Sequence, residues 1–432
     1  MPHTLIRGGR ILTLDARGSV FPQGDLLIDG GRIRAVGPEL TAPEAAEVID
    51  ADGMLVLPGL IDTHRHTWQT AFRQFDSALS LSAYIDVALR GFGDRCRPED
   101  VYAGTLWGAL SALDGGVTTL LDWAHVMNSP EHADASVQAL HDSGMRAVFG
   151  HGWPVGRQLD FTAPHPADLR RVREYLLPSD DGLVTLAMAA KGPDFSGIDV
   201  AAQDFAFARE LGVPITSHIA AGRPGDHQQG IRLLDDAGLL GPDLTVVHAN
   251  GASDDDLKRL AAHGVTLSFS PQIELTMPGL GAAAATHRLV NAGLRPSLSV
   301  DTETAASGSL FTQMQLALAT ARAATPDDEP ALTANAVLRM ATVDAAHTLH
   351  LEHRTGSLEV GKAADVILLR TNDLNLAPVS APEESVVLAA HPGNVDTVLV
   401  NGRVVKRDGC LVGDVDRVRE LVTAASAHLL QR

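Results

Sequence analysis

Short apolar runs broken by turn signals fill the first ~50 positions: "TLIRGG", "RILTLD", "DLLIDGGRIRAVG" and "AEVIDADGMLVLPG". Gly-Gly and Asp-Gly between such runs predict β-hairpins. The same pattern returns near the other end, in "TGSLEVGKAADVILLR" and "VDTVLVNGRVVKRDGCLVG", where Asn401-Gly402 and Asp408-Gly409 are strong hairpin turns. The two ends therefore read as one small all-β unit, interrupted by everything between them.

The interior has a different rhythm. A short β-branched or apolar run, a polar connection and an Ala- and Leu-rich helical stretch recur about eight times. The runs are "LVLPGLIDTH", "GVTTLLDWAH", "MRAVFGHGW", "LVTLAMAAKG", "VPITSHIA", "LTVVHAN", "VTLSFSP" and "RPSLSVD". Stretches such as "EHADASVQALHDSG" and "AAQDFAFARELG" end in the glycine expected just past a helix. Strands alternating with helices predict a parallel sheet, and about eight repeats over about 300 residues point to a closed (β/α)8 TIM barrel. An open doubly wound sheet is the alternative, but no Gly-x-Gly-x-x-Gly follows the first strand. The expected organisation is an α/β chain in three parts: residues 1–57 and 356–432 forming a β-sandwich, and residues 58–355 forming the barrel.

Composition narrows the function. Of 432 residues, 45% are apolar, enough for a large core. No apolar run approaches the roughly 20 residues that span a bilayer, and "MPHTLIRGGR" has no charged segment leading into a long apolar one. A cytoplasmic protein without membrane partners is expected. The two cysteines, Cys96 and Cys410, form no paired motif, so any metal is held by nitrogen and oxygen. A formal charge of −19 would repel a phosphate backbone, and the one basic cluster, Arg170, Arg171 and Arg173, reads as a solvated helix face. Nucleic acid is not an expected partner; a small molecule is.

Six of the eight runs end in a histidine, a histidine-containing stretch or an aspartate. In a parallel barrel all strand ends open on one face, so residues distant in sequence converge there. His64 and His66 are two apart and share a face, with Arg65 turned away. His218, His248 and Asp301 end three other runs. Imidazoles and one carboxylate suit zinc, iron or manganese, with an open position for water. Such water is acidified to a pKa of about 7, and Asp301 beside it is placed to act as general base. His248 either ligates the metal or hydrogen-bonds the water or substrate. Trp68, Gln69, His125, His151 and Trp153 follow strand ends on the same face and are candidate substrate contacts, although Trp68 could equally pack beneath the loop. The long excursion Phe72 to Asp94 is a candidate substrate lid.

These residues resemble the amidohydrolase superfamily, and within it the branch of triazine hydrolases and guanine and cytosine deaminases. "VLPGLIDTHRH", "GVTTLLD", "VHAN" with "DDDLKRLAAHGVTLSFSP", and "GLRPSLSVDTETA" are similar to its strand motifs, and "GGRILTLD", "GSLEVGKAADVILL" and "VNGRVV" to its flanking β-sandwich. The resemblance implies that His64, His66, His218 and Asp301 bind one divalent metal, Zn2+ before Fe2+ or Mn2+, with His248 beside the metal-bound water. It implies hydrolysis of a C–N bond, the deamination of a heterocyclic or aromatic substrate, and a homo-oligomer. Lys191 ends the fourth strand, where binuclear members carry a carbamylated lysine; a plain surface or ion-paired lysine is the favoured reading. Two departures stand out. Ala221 occupies the place of the glutamate that follows the fifth-strand histidine by three, so the usual proton carrier is missing. Glu274 stands where many relatives have asparagine, either meeting a basic substrate, supplying the proton transfer, or facing solvent. Glu303, two after Asp301, is a lesser candidate. Without the glutamate, hydrolysis of an amide, carbamate or carbon–halogen bond is the alternative, and a non-catalytic ligand-binding protein is the alternative of another class.

Overall fold

The computed structural model describes residues 3–222, 229–281, 285–326 and 329–431. The chain begins with five strands of a peripheral sheet: β1 (Thr4–Leu12), β2 (Val20–Asp29), β3 (Arg32–Gly37), β4 (Glu47–Asp50) and β5 (Met54–Pro58). Eight barrel strands follow: β6 (Leu60–Arg65), β7 (Val117–Ala124), β8 (Arg146–His151), β9 (Val184–Ala190), β10 (Ile215–Ile219), β11 (Leu244–His248), β12 (Thr266–Phe269) and β13 (Pro296–Leu298). The chain then returns to the first sheet with β14 (Val366–Arg370), β15 (Val395–Val400), β16 (Arg403–Arg407) and β17 (Cys410–Leu411).

Both ends of the chain share one mixed sheet, ordered β17-β16-β15-β14-β5-β1-β2-β3, with β4 paired to β1. It curls over its own core, which brings Ile28 and Ile33 from one end of the order together with Val366 and Leu399 from the other. The predicted turns are where the sheet needs them: Asn401 and Gly402 have φ of 49° and 76°, and Asp408 and Gly409 have 52° and 75°, the doubly left-handed backbone of a tight hairpin. The helix Val415–Leu429 leaves this sheet and packs on the barrel helix Pro98–Asp114, where His428 Nδ1 lies 3.0 Å from Asp100.

The barrel strands are all parallel and run in sequence order from β6 to β13. Each is buried nearly end to end, as expected of strands covered on both faces. The ring closes by a parallel bridge between Arg65 and Asp301: Asp301 N donates to His64 O at 2.9 Å, and His66 N donates to Asp301 O at 2.8 Å. Below it, Thr63 Oγ1 meets Ser268 Oγ at 2.7 Å and Ser297 Oγ at 3.0 Å, so hydroxyls fill the seam between β6, β12 and β13. No helix among the described residues is long and apolar enough to cross a membrane.

One predicted strand is two. "LVLPGLIDTH" breaks at Gly59, its first half pairing with β14 in the peripheral sheet and its second with β7 in the barrel. The junction is tight enough that a Cβ on Gly59 would lie 2.0 Å from Thr118 Oγ1. Gly59→Ala is therefore expected to lower unfolding stability by about 1–3 kcal/mol through overpacking. Urea denaturation measures this, with the midpoint shifting and the slope unchanged.

Candidate metal centre and active site

At the C-terminal mouth of the barrel, one ligand atom from each of His64, His66, His218 and Asp301 lies within 4.8 Å of the others. His218 Nε2 is 3.1 Å from His64 Nε2, and Asp301 Oδ1 is 3.4 Å from His64 Nε2 and 3.1 Å from His66 Nε2. Ligands 2.0–2.2 Å from a tetrahedral zinc stand about 3.3–3.6 Å apart, so these separations fit a metal centre. Two imidazole nitrogens aimed at one another need a cation or a shared proton between them.

The surroundings select the tautomer and charge of the donors. His66 Nδ1 lies 2.9 Å from Trp123 O and donates to it, which turns the Nε2 lone pair toward Asp301. Burial lowers the His64 pKa to about 4 and pushes His218 well below its ordinary value, so both are neutral donors at neutral pH. For Asp301, burial alone would raise the carboxyl. The ring nitrogens of His64 and His66 set against it outweigh this and keep the Asp301 pKa well below the usual carboxylate range. The Trp123 indole packs edge-on against the rings of His64, His66 and His218, an apolar wall that strengthens every charge interaction inside it.

Strand ends supply these groups in unusual backbone. Asp301 has φ of 67° and His248 of 75°, left-handed values that non-glycine residues seldom adopt. Such strain persists only where neighbours over-determine it, and here the seam hydrogen bonds flank Asp301. A buried ion network supports the seam from behind. Arg65 points away from the metal cluster yet is buried, with Nη1 3.2 Å from Asp62 Oδ2, Nη2 on Glu303 Oε1 and Nη1 3.3 Å from Gly308 O. Asp62 Oδ1 in turn accepts from Val300 N at 3.1 Å. Burial raises the Asp62 carboxyl to about 6 in spite of Arg65. Glu303 is thus a clamp on Arg65 and does not line the cavity.

His248 stands beside the cluster. Its Nε2 is 3.8 Å from Asp301 Oδ2, and its Nδ1 is 2.9 Å from Glu274 Oε1. Burial would lower the His248 pKa; the hydrogen bond and charge of Glu274 outweigh it and raise it. Glu274 is itself buried, also accepting from Ser270 N at 2.9 Å. It is neither a solvent-facing loop residue nor a wall of the cavity, so it reaches the chemistry only through His248.

Above the cluster the cavity holds about 630 Å³, open solvent at its mouth included. Its walls are mostly apolar: Leu81, Ile85 and Leu89 from the excursion after β6, Met277 and Leu280, and the aromatics Trp153, Phe161 and Phe195. Phe161 and Phe195 stack on each other at 5.4 Å. Besides the cluster and His248, the polar side chains of the lining among the described residues are Tyr84, His125, Thr302 and Trp153, whose buried indole Nε1 has no hydrogen-bond partner. Ala221 presents its methyl there, and the six residues 223–228 beyond Gly222 lie outside the described residues.

Of the expected substrate contacts, His125 and Trp153 line this cavity. Trp68, Gln69 and His151 do not. Trp68 and Gln69 are fully buried beneath it, the indole Nε1 donating to His125 Nδ1 at 3.2 Å and the amide Nε2 to Tyr84 Oη at 2.6 Å. His151 faces a separate cluster, with Nδ1 3.0 Å from His165 Nε2 and Nε2 3.6 Å from Asp168. Lys191 is neither a surface lysine nor aimed at the metal cluster. Its Nζ donates to Asp160 O at 2.9 Å and to Ala163 O, tying down the loop that carries Phe161. Tyr84, Thr302 and Trp123 carry no signal in the sequence: Tyr84 sits in an excursion without readable register, and the other two look like ordinary strand-end residues.

A model of the Amidohydrolase family matches residues 55–405. A 5-methylthioadenosine/S-adenosylhomocysteine deaminase of Syntrophobacter fumaroxidans is 30% identical over 97% of this chain and 96% of its own. A 5'-deoxyadenosine deaminase of Methanothermobacter thermautotrophicus is 30% identical over 98% of each. Among solved structures, a zinc-bound adenosine deaminase from Xanthomonas campestris superposes with a TM-score of 0.86 at 21% identity, covering 99% of this chain and 98% of its own. The zinc complex of an atrazine chlorohydrolase from Arthrobacter aurescens TC1 gives 0.86 at 24% identity, covering 98% and 100%. These two likenesses speak to the fold.

The Arg65 network yields a stability test. Arg65→Met leaves the Asp62 carboxylate buried without its cation and Glu303 with Arg73 alone, 3.6 Å from Oε2, and is expected to cost about 3–5 kcal/mol. Guanidinium denaturation measures it; a loss below about 1 kcal/mol would show that the network does not support the seam.

Proposed function

The chain belongs to the amidohydrolase family, and we propose that it is a mononuclear zinc aminohydrolase that deaminates an uncharged, largely apolar aromatic N-heterocycle. The observation that carries this reading is a set of three imidazoles and one carboxylate, His64, His66, His218 and Asp301, converging within 4.8 Å at the floor of an apolar cavity. The donor set holds no thiolate and lies beneath a cavity, which favours a catalytic zinc that would take water as a further ligand over a closed structural one. Two of the curated relatives are named for deaminations of adenosine-type compounds.

A bound metal supplies water with a pKa of about 7. The chain's own residues do the rest. Asp301 takes the water proton on Oδ2, the oxygen turned away from His64 and His66, and passes it to the departing nitrogen. His248, protonated on Nδ1 toward Glu274, presents Nε2 to the same water or to the substrate atom it attacks. Aromatic walls stack on a flat ring and exclude bulk water.

Among the described residues, the walls away from the cluster offer the hydroxyls of a ribose few partners. Ribose hydroxyls buried against Leu81, Leu89, Met277 and Leu280 would lose their water partners at about 1–3 kcal/mol each. A ring with alkyl substituents meets no such penalty.

Ala221 favours a second reading, in which a better leaving group needs less proton assistance and an alkylamine or chloride departs instead of ammonia. Supplying zinc-reconstituted protein with aminated, N-alkylated and chlorinated azines, and assaying ammonia, amine and chloride together, separates these outcomes. Ammonia release is expected. About one equivalent of metal per chain is expected by elemental analysis, and His66→Ala should weaken metal binding beyond the ~10–100-fold typical of losing an outer-shell partner. Protein that holds no metal under these conditions, or holds it and releases none of the three products, would refute the proposal.

A further inference from the structure

The hydrogen bonds at one wall of the cavity run in a fixed direction. Thr302 Oγ1 accepts from Thr304 N at 3.2 Å and donates to Gln69 Oε1 at 2.7 Å. That orients the Gln69 amide, so its Nε2 donates to Tyr84 Oη at 2.6 Å. On the other side, Trp68 Nε1 can only donate, and its partner is His125 Nδ1 at 3.2 Å. With Nδ1 accepting, the ring's proton is on Nε2. That Nε2–H faces Tyr84 Oη at 3.5 Å. The phenol oxygen thus faces N–H groups from Gln69 and His125, and neither leaves it an acceptor. Its own hydrogen is turned into the cavity that Tyr84 lines beside Asp301.

We propose that the Tyr84 hydroxyl is a substrate-facing hydrogen-bond donor of this enzyme, holding the ring nitrogen next to the attacked carbon. The inference rests on the cavity being the substrate pocket of a heterocycle hydrolase. As the water oxygen bonds to the ring carbon, an electron pair moves onto the adjacent ring nitrogen, and the Tyr84 hydrogen bond strengthens as that charge develops. Tyr84 keeps its proton throughout. One water hydrogen passes through Asp301 to the leaving nitrogen as the exocyclic C–N bond breaks; the other remains with the oxygen or moves to the ring nitrogen in the keto tautomer, and ammonia leaves. Burial, with the charge of Asp301 adding to it, raises the phenol pKa far above its ordinary value, consistent with a donor that never ionises.

A pair of neutral probes of equal size tests this: aminopyrazine, with ring nitrogens to accept, and aniline, with none. Titration calorimetry on zinc-loaded wild type and Tyr84→Phe at neutral pH gives four affinities. The aminopyrazine-to-aniline ratio is expected to fall about tenfold in Tyr84→Phe, the worth of one hydrogen bond, while aniline binding is unchanged. A hydrophobic or merely structural role would shift both probes together. A ratio equal in the two proteins, or no binding of either probe to either protein, overturns the assignment and returns the phenol hydrogen to Gln69. Zinc content of the same samples keeps the failures distinct: without zinc the functional reading falls, whereas with zinc bound and an unchanged ratio only the role of Tyr84 falls.

Discussion

Everything at the active site depends on how the barrel closes. The seam between the first and last barrel strands is made by two backbone hydrogen bonds, Asp301 N to His64 O and His66 N to Asp301 O. These bonds interleave Asp301 between the two histidines, so the ring cannot close in this register without bringing the carboxylate against both imidazoles. A slip by one residue would turn His64 and His66 away from the axis and bring Arg65 in. The site is therefore a by-product of barrel register, and the register is held by Arg65, whose guanidinium links Asp62 on one side of the seam to Glu303 and Gly308 on the other.

That arrangement separates two tasks that would interfere if they shared residues. The charge balance needed for closure is met below and behind the cluster by Arg65, Asp62 and Glu303. The cluster itself is left with three imidazoles and one ionised carboxylate, a donor set that attracts a cation. His248 has a comparable division of labour: its Nδ1 is committed to buried Glu274, which leaves Nε2 for the cavity. The strained backbone of His248 and Asp301 is maintained by these neighbours.

How much of this was legible in the sequence follows from the range of the forces involved. Barrel strands and hairpin turns are written locally, in apolar runs and in pairs such as Asn401-Gly402, and the eight runs read as strands are strands. The metal cluster was legible because a parallel barrel brings all strand ends to one face, so position on a run predicts position in space. The run "LVLPGLIDTH" was read as one strand although the boundary expected at 57/58 falls inside it, because an unbroken apolar run looks the same whether it serves one sheet or two; at the break itself Gly59 is closely approached by Thr118, 59 residues away. Trp68, Gln69 and His151 were expected in the cavity from their position after strand ends. Past the strand end, the loop decides which way a side chain turns, and no period constrains it. Glu274 and Lys191 were misplaced for the same reason: their polar atoms are used by His248 and by the carbonyls of Asp160 and Ala163, partners that only the folded chain supplies.

The replacement at position 221 looks different in this setting. A glutamate there would stand beside an ionised Asp301 and among walls of leucine, methionine and phenylalanine, where a second carboxylate is costly unless a substrate base meets it. An alanine removes that cost and widens the apolar surface, at the loss of a mobile proton carrier. What remains is the Thr302–Gln69–Tyr84 chain and the Trp68–His125 pair, both uncharged and both directed from buried residues toward the cavity. Neutral donors of this kind stabilise developing charge without carrying any of their own, and they do so without the desolvation penalty of an ionised group. The pocket has in this way exchanged proton transfer for fixed hydrogen bonding. That exchange suits substrates whose reacting ring is electron-poor enough to accept attack by hydroxide before its leaving group is protonated.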